Sequence, residues 1–191
     1  MTTRTGIRKT DFSSGTFELN DRALHFKGYA QRITNEWPAL GSAVPTWLSG
    51  FSNSLVLASR GALIRWMHVT PWRQDVESLD RLGILQAMPA GDSEGDVTGD
   101  RWQQRTDLMR DAIIYNRNSP SVIFYESGNH SISEEHMQEM KSIRDKWDPK
   151  GGRAIGSREM LNSTVAEYGG EMLYINKDKR IPSLADGVLA R

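Results

Sequence analysis

Among the side chains between Tyr125 and Gly169 that can move protons, five stand at expected strand ends or in an expected first helical turn: Glu126, His130, Glu134, Glu135 and Glu167. General acid–base chemistry needs such groups held close to a substrate, with one carboxyl kept protonated by its surroundings. Glu126 follows Phe124-Tyr125, and partial desolvation there raises a carboxyl pKa in the direction an acid requires; a hydrogen-bonded interior carboxylate is the other reading. His130 lies four residues on, at the same strand parity, so both side chains project from one face if the strand stays extended. An imidazole exchanges protons near neutral pH, whereas a mere rim position makes no chemical demand on it. Glu134 and Glu135 follow Ser133, a good N-cap, and acids in a first helical turn favour its positive end. His68, His130 and His136 show no compact ligand spacing, and no phosphate loop or dinucleotide fingerprint is present, so no metal or other cofactor is expected.

The stretch that positions this group runs from Arg117 to His130. It opens with a polar turn closed by Pro120, continues as an unbroken apolar run from Val122 to Tyr125, and drops into Glu126-Ser127-Gly128-Asn129-His130. A buried parallel strand whose C-terminal end opens onto a site has this pattern, because loops leaving the carboxyl ends of strands converge on one face. Residues 126–130 are therefore expected to form the rim of a pocket. Upstream, residues 6–12 and 17–29 read as a strand and a hairpin turning at Asn20-Asp21. Residues 33–50 carry loop punctuation, 51–60 a weak helix, and 62–72 an apolar strand finishing in polar and aromatic residues. A helix follows at 75–82 with Val76, Leu79 and Leu82 on one face, stopped by Gly83, then a strand at 84–89 and a helix at 101–116. Past the rim, 134–147 form a helix buried along Met137, Met140, Ile143 and Trp147; 153–158 read as a strand, and 165–170 as a sixth strand or its exit. The tail 177–191 has no pattern. Five or six strands alternating with helices imply a parallel sheet.

Composition narrows the partners. Twenty-four basic residues balance 24 acidic ones without a basic block, which argues against nucleic acid or an anionic membrane. No apolar run approaches the roughly 18 residues of a membrane span, and the first ten residues hold no apolar signal segment. The absence of cysteine excludes disulfides, zinc-thiolate sites and a cysteine nucleophile, and leaves the compartment open.

Arg117-Asn-Ser-Pro-Ser-Val-Ile-Phe-Tyr, followed two residues later by Gly128-Asn129, resembles the fourth barrel strand of family two glycoside hydrolases, the β-galactosidase and β-glucuronidase group. That strand reads roughly Arg-Asn-His-Pro-Ser-Val-Ile-x-Trp-x-x-Gly-Asn-Glu, and its final Glu is the general acid/base; His130 stands in that place here. Lys27-Gly28-Tyr29-Ala30-Gln31-Arg32 resembles the start of the first barrel strand, with the family's Asn-Arg-His replaced by Ala30-Gln31-Arg32. Residues 62–72 resemble the second strand, Ala-Ile-Arg-Thr-Ser-His-Tyr-Pro, which sets Arg65 and His68 on the family's Arg and His; residues 84–89 and 153–158 resemble the third and fifth. The resemblance implies that Asn129 hydrogen-bonds the sugar hydroxyl beside the reacting carbon while Arg65 and His68 line the pocket. For Arg65 an ion pair bracing the barrel is the alternative. Trp72 and Trp37 are candidate sugar-stacking platforms, or plain packing. Ala166-Glu167-Tyr168-Gly169 resembles the family's nucleophile motif, yet the 37 residues from His130 to Glu167 hold a single βα unit and the next strand, whereas the family's nucleophile lies about three strands beyond its acid.

Glycoside hydrolysis in its common form needs two carboxyl groups across the scissile bond, about 5–5.5 Å apart for retention and wider for inversion. The candidate catalytic residues are accordingly Glu126, His130, Glu134 and Glu167, with Glu134 or Glu135 as a displaced acid, and the candidate substrate-binding residues are Arg65, His68, Trp72 and Asn129. The expected fold is α/β, an incomplete (β/α)8 TIM barrel, since a complete one needs about 250 residues. Residues 1–19 are read as a junction from a preceding β-sandwich domain and 20–191 as a partial catalytic barrel truncated at its C-terminus. The expected activity is hydrolysis of O-glycosidic bonds, with this piece inactive and marginally folded alone because an open barrel leaves a strand edge unpaired. A non-catalytic carbohydrate-binding or degenerate barrel is the alternative. Expected partners are a carbohydrate substrate and the remaining domains of a larger parent chain, with no nucleic acid and no membrane.

Overall fold

The computed structural model describes residues 5–13, 15–32, 44–91, 95–170 and the backbone of 188–190. Trp37, most of the loop before residue 50 and most of the tail lie outside the described residues. Three short strands, β1 (Thr10–Asp11), β2 (Glu18–Leu19) and β3 (Arg22–Ala23), form an antiparallel sheet of their own. The β2–β3 turn is Asn20-Asp21, both at positive φ (53° and 63°), as a two-residue hairpin with the right twist requires. Short polar side chains tolerate that conformation, which is why the turn can be read from sequence. The boundary drawn between residues 19 and 20 falls inside this hairpin.

The main sheet has six parallel strands in chain order: β4 (Gly28–Gln31), β5 (Leu63–Trp66), β6 (Leu85–Pro89), β7 (Val122–Glu126), β8 (Ala154–Arg158) and β9 (Tyr168–Gly170). A seventh, β10 (Val188–Ala190), pairs antiparallel with β9. Helices α1 (Thr46–Ala58), α2 (Arg73–Leu82), α3 (Asp100–Asn116) and α4 (Glu134–Trp147) follow β4, β5, β6 and β7 in turn. The sheet is the curled part of an incomplete α/β barrel, as the alternation of patterns predicts. Helix α1 starts five residues earlier than its sequence suggests, because Gly50 lies inside it; packing against α2 overrides the roughly 1 kcal/mol a helical glycine costs. Strand β5 stops at Trp66, so Met67 to Trp72 form the loop that leaves it, with a cis peptide bond between Met67 and His68.

Strand alternation sorts side chains into two layers. Outward, Met88, Tyr125 and Ile155 pack under α3 and α4 against Met109, Ile113, Met137 and Met140, while Ile64 and Trp66 meet Leu79 of α2. Inward, Leu63, Leu85, Ala87, Phe124, Ala154 and Tyr168 form a second cluster with Phe17. Phe12, Phe17 and Phe26 of the N-terminal segment surround Phe124 at ring separations of 5.6 to 6.1 Å, so the small antiparallel sheet floors the barrel. Arg8 fastens that floor by donating from Nε to the Pro120 carbonyl (2.7 Å) and from Nη1 to the Gly151 carbonyl (2.9 Å). At Gly156 a Cβ would collide with the Tyr168 carbonyl, so the close approach of β8 to β9 requires glycine.

Candidate functional site

The inner face of the sheet changes character toward the carboxyl ends of its strands. Above Phe124, two residues on and at the same parity, Glu126 points into the barrel, only 4% exposed. Arg65 enters from β5 and reaches across β6, whose inward residues at that level are the small Ala87 and Pro89. The guanidinium and carboxylate form a two-pronged pair: Arg65 Nε donates to Glu126 Oε2 (2.6 Å) and Nη2 to Oε1 (2.7 Å). The same Nη2 donates to Asn129 Oδ1 at 2.9 Å. Burial pushes the Glu126 carboxyl above its ordinary value, against the hydrogen bonds and charge of Arg65 and the charge of Arg158.

Strand β7 ends at Glu126, so the parity linking Glu126 to His130 is not carried onward. Residues 127–130 form a tight loop secured by β8: Ser127 N donates to the Gly156 carbonyl (2.8 Å), and Arg158 Nε to the Asn129 carbonyl (2.6 Å). Ser157 Oγ sits 2.7 and 2.8 Å from the Gly128 and His130 carbonyls, sharing its one proton between them. His130 turns to Glu159, with Nδ1 2.8 Å from Glu159 Oε2. Sequence reading did not single out Glu159. Its signal was positional: it is the first residue beyond β8, on the edge where strand ends carry chemistry.

No protein-family model matches the chain. A curated relative, a β-glucuronidase of Formosa agariphila, is 36% identical over 154 residues, which is 80% of this chain and 16% of that protein. Among solved structures, a β-glucuronidase from glycoside hydrolase family 2 aligns with a TM-score of 0.79 and 34% identity over 86% of this chain and 18% of that one. The chain belongs to glycoside hydrolase family 2. A β-glucuronidase of Parabacteroides merdae, 19% identical with a TM-score of 0.77 over 90% of this chain and 23% of that one, shares the fold.

The remaining candidates occupy distinct places in this family 2 barrel. His68 and Trp72 follow the carboxyl end of β5, on the same side of the sheet as the pair; His68 is half-buried, and Trp72 is exposed as the residue preceding α2. Glu134 and Glu135 are exposed in the first turn of α4, behind the Ser133 cap. Glu134 Oε2 accepts from Thr164 N and Oγ1, both at 3.0 Å, and hydrogen bonding from Ser163 first and Thr164 next holds its carboxyl below the usual range. Glu167 stands beside the inward Tyr168 and so faces outward, where Arg144 of α4 donates to it at 2.8 and 2.5 Å and the Ile155 N–H at 3.0 Å. Burial pushes its carboxyl up, but these donors outweigh that and leave it below the ordinary value. A groove of about 620 Å³ lies against Glu167, Arg144 and Asp148, away from the Arg65–Glu126 pair. The structure thus joins Arg65, Glu126, Asn129 and His130 at one mouth and sets Glu167 on the other face. Among the described residues no cluster of three His, Asp or Glu is placed to hold a metal, and no helix is long and apolar enough to cross a membrane.

Proposed function

We propose that this chain supplies the first six strands of the catalytic barrel of a glycosidase that hydrolyses O-glycosidic bonds, with β-glucuronides as the substrate class. The supporting observation is the buried Arg65–Glu126–Asn129 assembly at the carboxyl ends of β5 and β7, in a chain 36% identical to a β-glucuronidase. Glu126 neutralises and orients Arg65; Arg65 in turn occupies the acceptor side of the Asn129 amide, so that Asn129 meets a sugar hydroxyl with its donor side. His130 carries the proton, Trp72 offers a flat apolar ring, and His68 lines the wall. Glu134 ties the β8–β9 loop to α4, and Glu167 braces α4 against the sheet. The chain spans only 16% and 18% of its two relatives' lengths, and the second carboxylate comes from the rest of a larger parent chain.

The test is turnover of aryl β-glucuronides and aryl β-galactosides by the full-length gene product and its Asn129→Ala variant. Hydrolysis of the glucuronide, falling about a hundredfold in the variant, supports the assignment. His130 in the family's acid position favours one rival, a degenerate barrel. Sugar binding without cleavage of any glycoside would establish it instead.

A further inference from the structure

The geometry points to Glu159 as a positioning residue that, backed by Arg158, holds the His130 ring as the proton carrier of glycosidic cleavage. The inference rests on the hydrolase reading and assigns a role to a residue that neither sequence pattern nor resemblance singled out. Three observations carry it.

Glu159 bridges the His130 ring and the Arg158 guanidinium, with Oε2 2.8 Å from His130 Nδ1 and Oε1 3.1 Å from Arg158 Nη2. Arg158 is buried, and its Nε is anchored on the Asn129 carbonyl at 2.6 Å, one residue from His130 itself. Asn129 therefore connects this assembly to the Arg65–Glu126 pair, and the proton carrier and the sugar-binding amide share one frame. The backbone supplies the second observation. Glu159 has φ of 65°, a conformation non-glycine residues seldom adopt, and it is pinned there by donation from its N–H to the Gly170 carbonyl at 2.7 Å. That conformation, fixed by the neighbouring strand, sets the direction in which the Glu159 side chain leaves the chain.

The third observation is the allocation of protons. A carboxylate accepts and does not donate, so Nδ1 carries hydrogen toward Glu159; Arg158 Nη2, 3.1 Å from the same nitrogen, directs its N–H to the carboxylate instead. Glu159 is held ionised, since the hydrogen bond from His130 keeps its carboxyl below the usual range. With Nδ1 turned to the carboxylate, proton exchange with substrate runs through Nε2, and the carboxylate behind the ring fixes its orientation. In the bond-breaking step the C1–O electron pair leaves with the glycosidic oxygen, which takes the Nε2 proton. Water then adds to C1 and its proton returns to Nε2, restoring the imidazolium. Among the described residues, Glu159 and Arg158, both at the carboxyl end of β8, are charged groups in contact with His130.

The experiment compares the full-length protein with Glu159→Gln, recording kcat against pH on a 4-nitrophenyl β-glucuronide and on an alkyl β-glucuronide. Removing the carboxylate takes away the charge that faces Nδ1 and should displace the basic limb of the profile. We expect kcat on the alkyl substrate, whose leaving group needs the proton, to fall about tenfold or more, with a smaller loss on the nitrophenyl substrate. An unchanged basic limb, or equal losses on both substrates, overturns the role of Glu159 while the hydrolase reading stands. A second variant, His130→Ala, should lose alkyl glucuronide turnover and regain it with added imidazole; failure of that rescue in a folded variant overturns the proton-carrier role. A parent that cleaves no glycoside overturns both readings together.

Discussion

Two arginine–glutamate forks in this barrel look alike on paper and do opposite things. Arg65 and Glu126 meet on the inner face, across β6, where the carboxylate side chain is 5% exposed; Arg144 and Glu167 meet on the outer face, between α4 and the start of β9, where it is 29% exposed. The first sits at the mouth with Asn129 beside it, and the second lies between a helix and its sheet. What separates them is one step of strand parity. Glu126 follows the outward Tyr125, and Glu167 precedes the inward Tyr168. The lesson is that a short motif such as Glu-Tyr-Gly fixes no face by itself, since its register in the sheet decides whether the carboxylate meets substrate or scaffold.

The largest expected contrast is between deleting each carboxylate. Glu126→Ala takes the carboxylate away from the largely buried Arg65 guanidinium, at a cost of about 3 kcal/mol in folding stability. It should also remove most glucuronide turnover by releasing Arg65 and Asn129. Glu167→Ala should cost about 1–3 kcal/mol and leave kcat nearly unchanged. Chemical denaturation with parallel turnover assays checks both, and a Glu167→Ala protein that folds well but is inactive would dissolve the contrast.

The forks should also titrate with opposite sign. Glu167 has a folded pKa below its ordinary 4.5, so its contribution is present above that value and lost as pH falls through the lowered one. Glu167→Gln has already lost it, and its melting temperature should fall less on acidification than the parent's. Glu126 has a folded pKa above 4.5, so its contribution is full below that value and lost as pH rises through the raised one. The gap in melting temperature between parent and Glu126→Gln should therefore narrow as the pH rises from 4.5. Parallel melting curves across this range would remove the distinction. The smallest effect is expected at the floor of the second fork: Lys141, 3.4 Å from Glu167 and partly exposed, should cost less than about 1 kcal/mol on replacement by Met.

Much of this architecture is legible in the chain. Val122 to Tyr125 is apolar on both faces because β7 is covered by helices outside and aromatic rings inside, and Ser133 announces α4 by capping it. The Asn129 environment follows from the same strand. Other features leave no trace in local pattern. The onset of α1 is masked by Gly50, whose cost is offset by packing on α2. The orientation of His130 depends on where β7 stops, and Glu159 becomes part of the mouth only through pairing of β8 with β9, a contact between segments that periodicity treats separately.

The aromatic floor carries a consequence for the order in which the molecule assembles. Arg8 binds carbonyls 112 and 143 positions away, and Phe17 rests on Phe124, so this segment is secured only by parts of the chain made much later than itself. Contacts at such separation are closed late and slowly, because chain entropy must be surrendered before they return any stabilisation. The leading hairpin therefore leaves the ribosome early and waits, unlocked, until β8 has emerged to receive it.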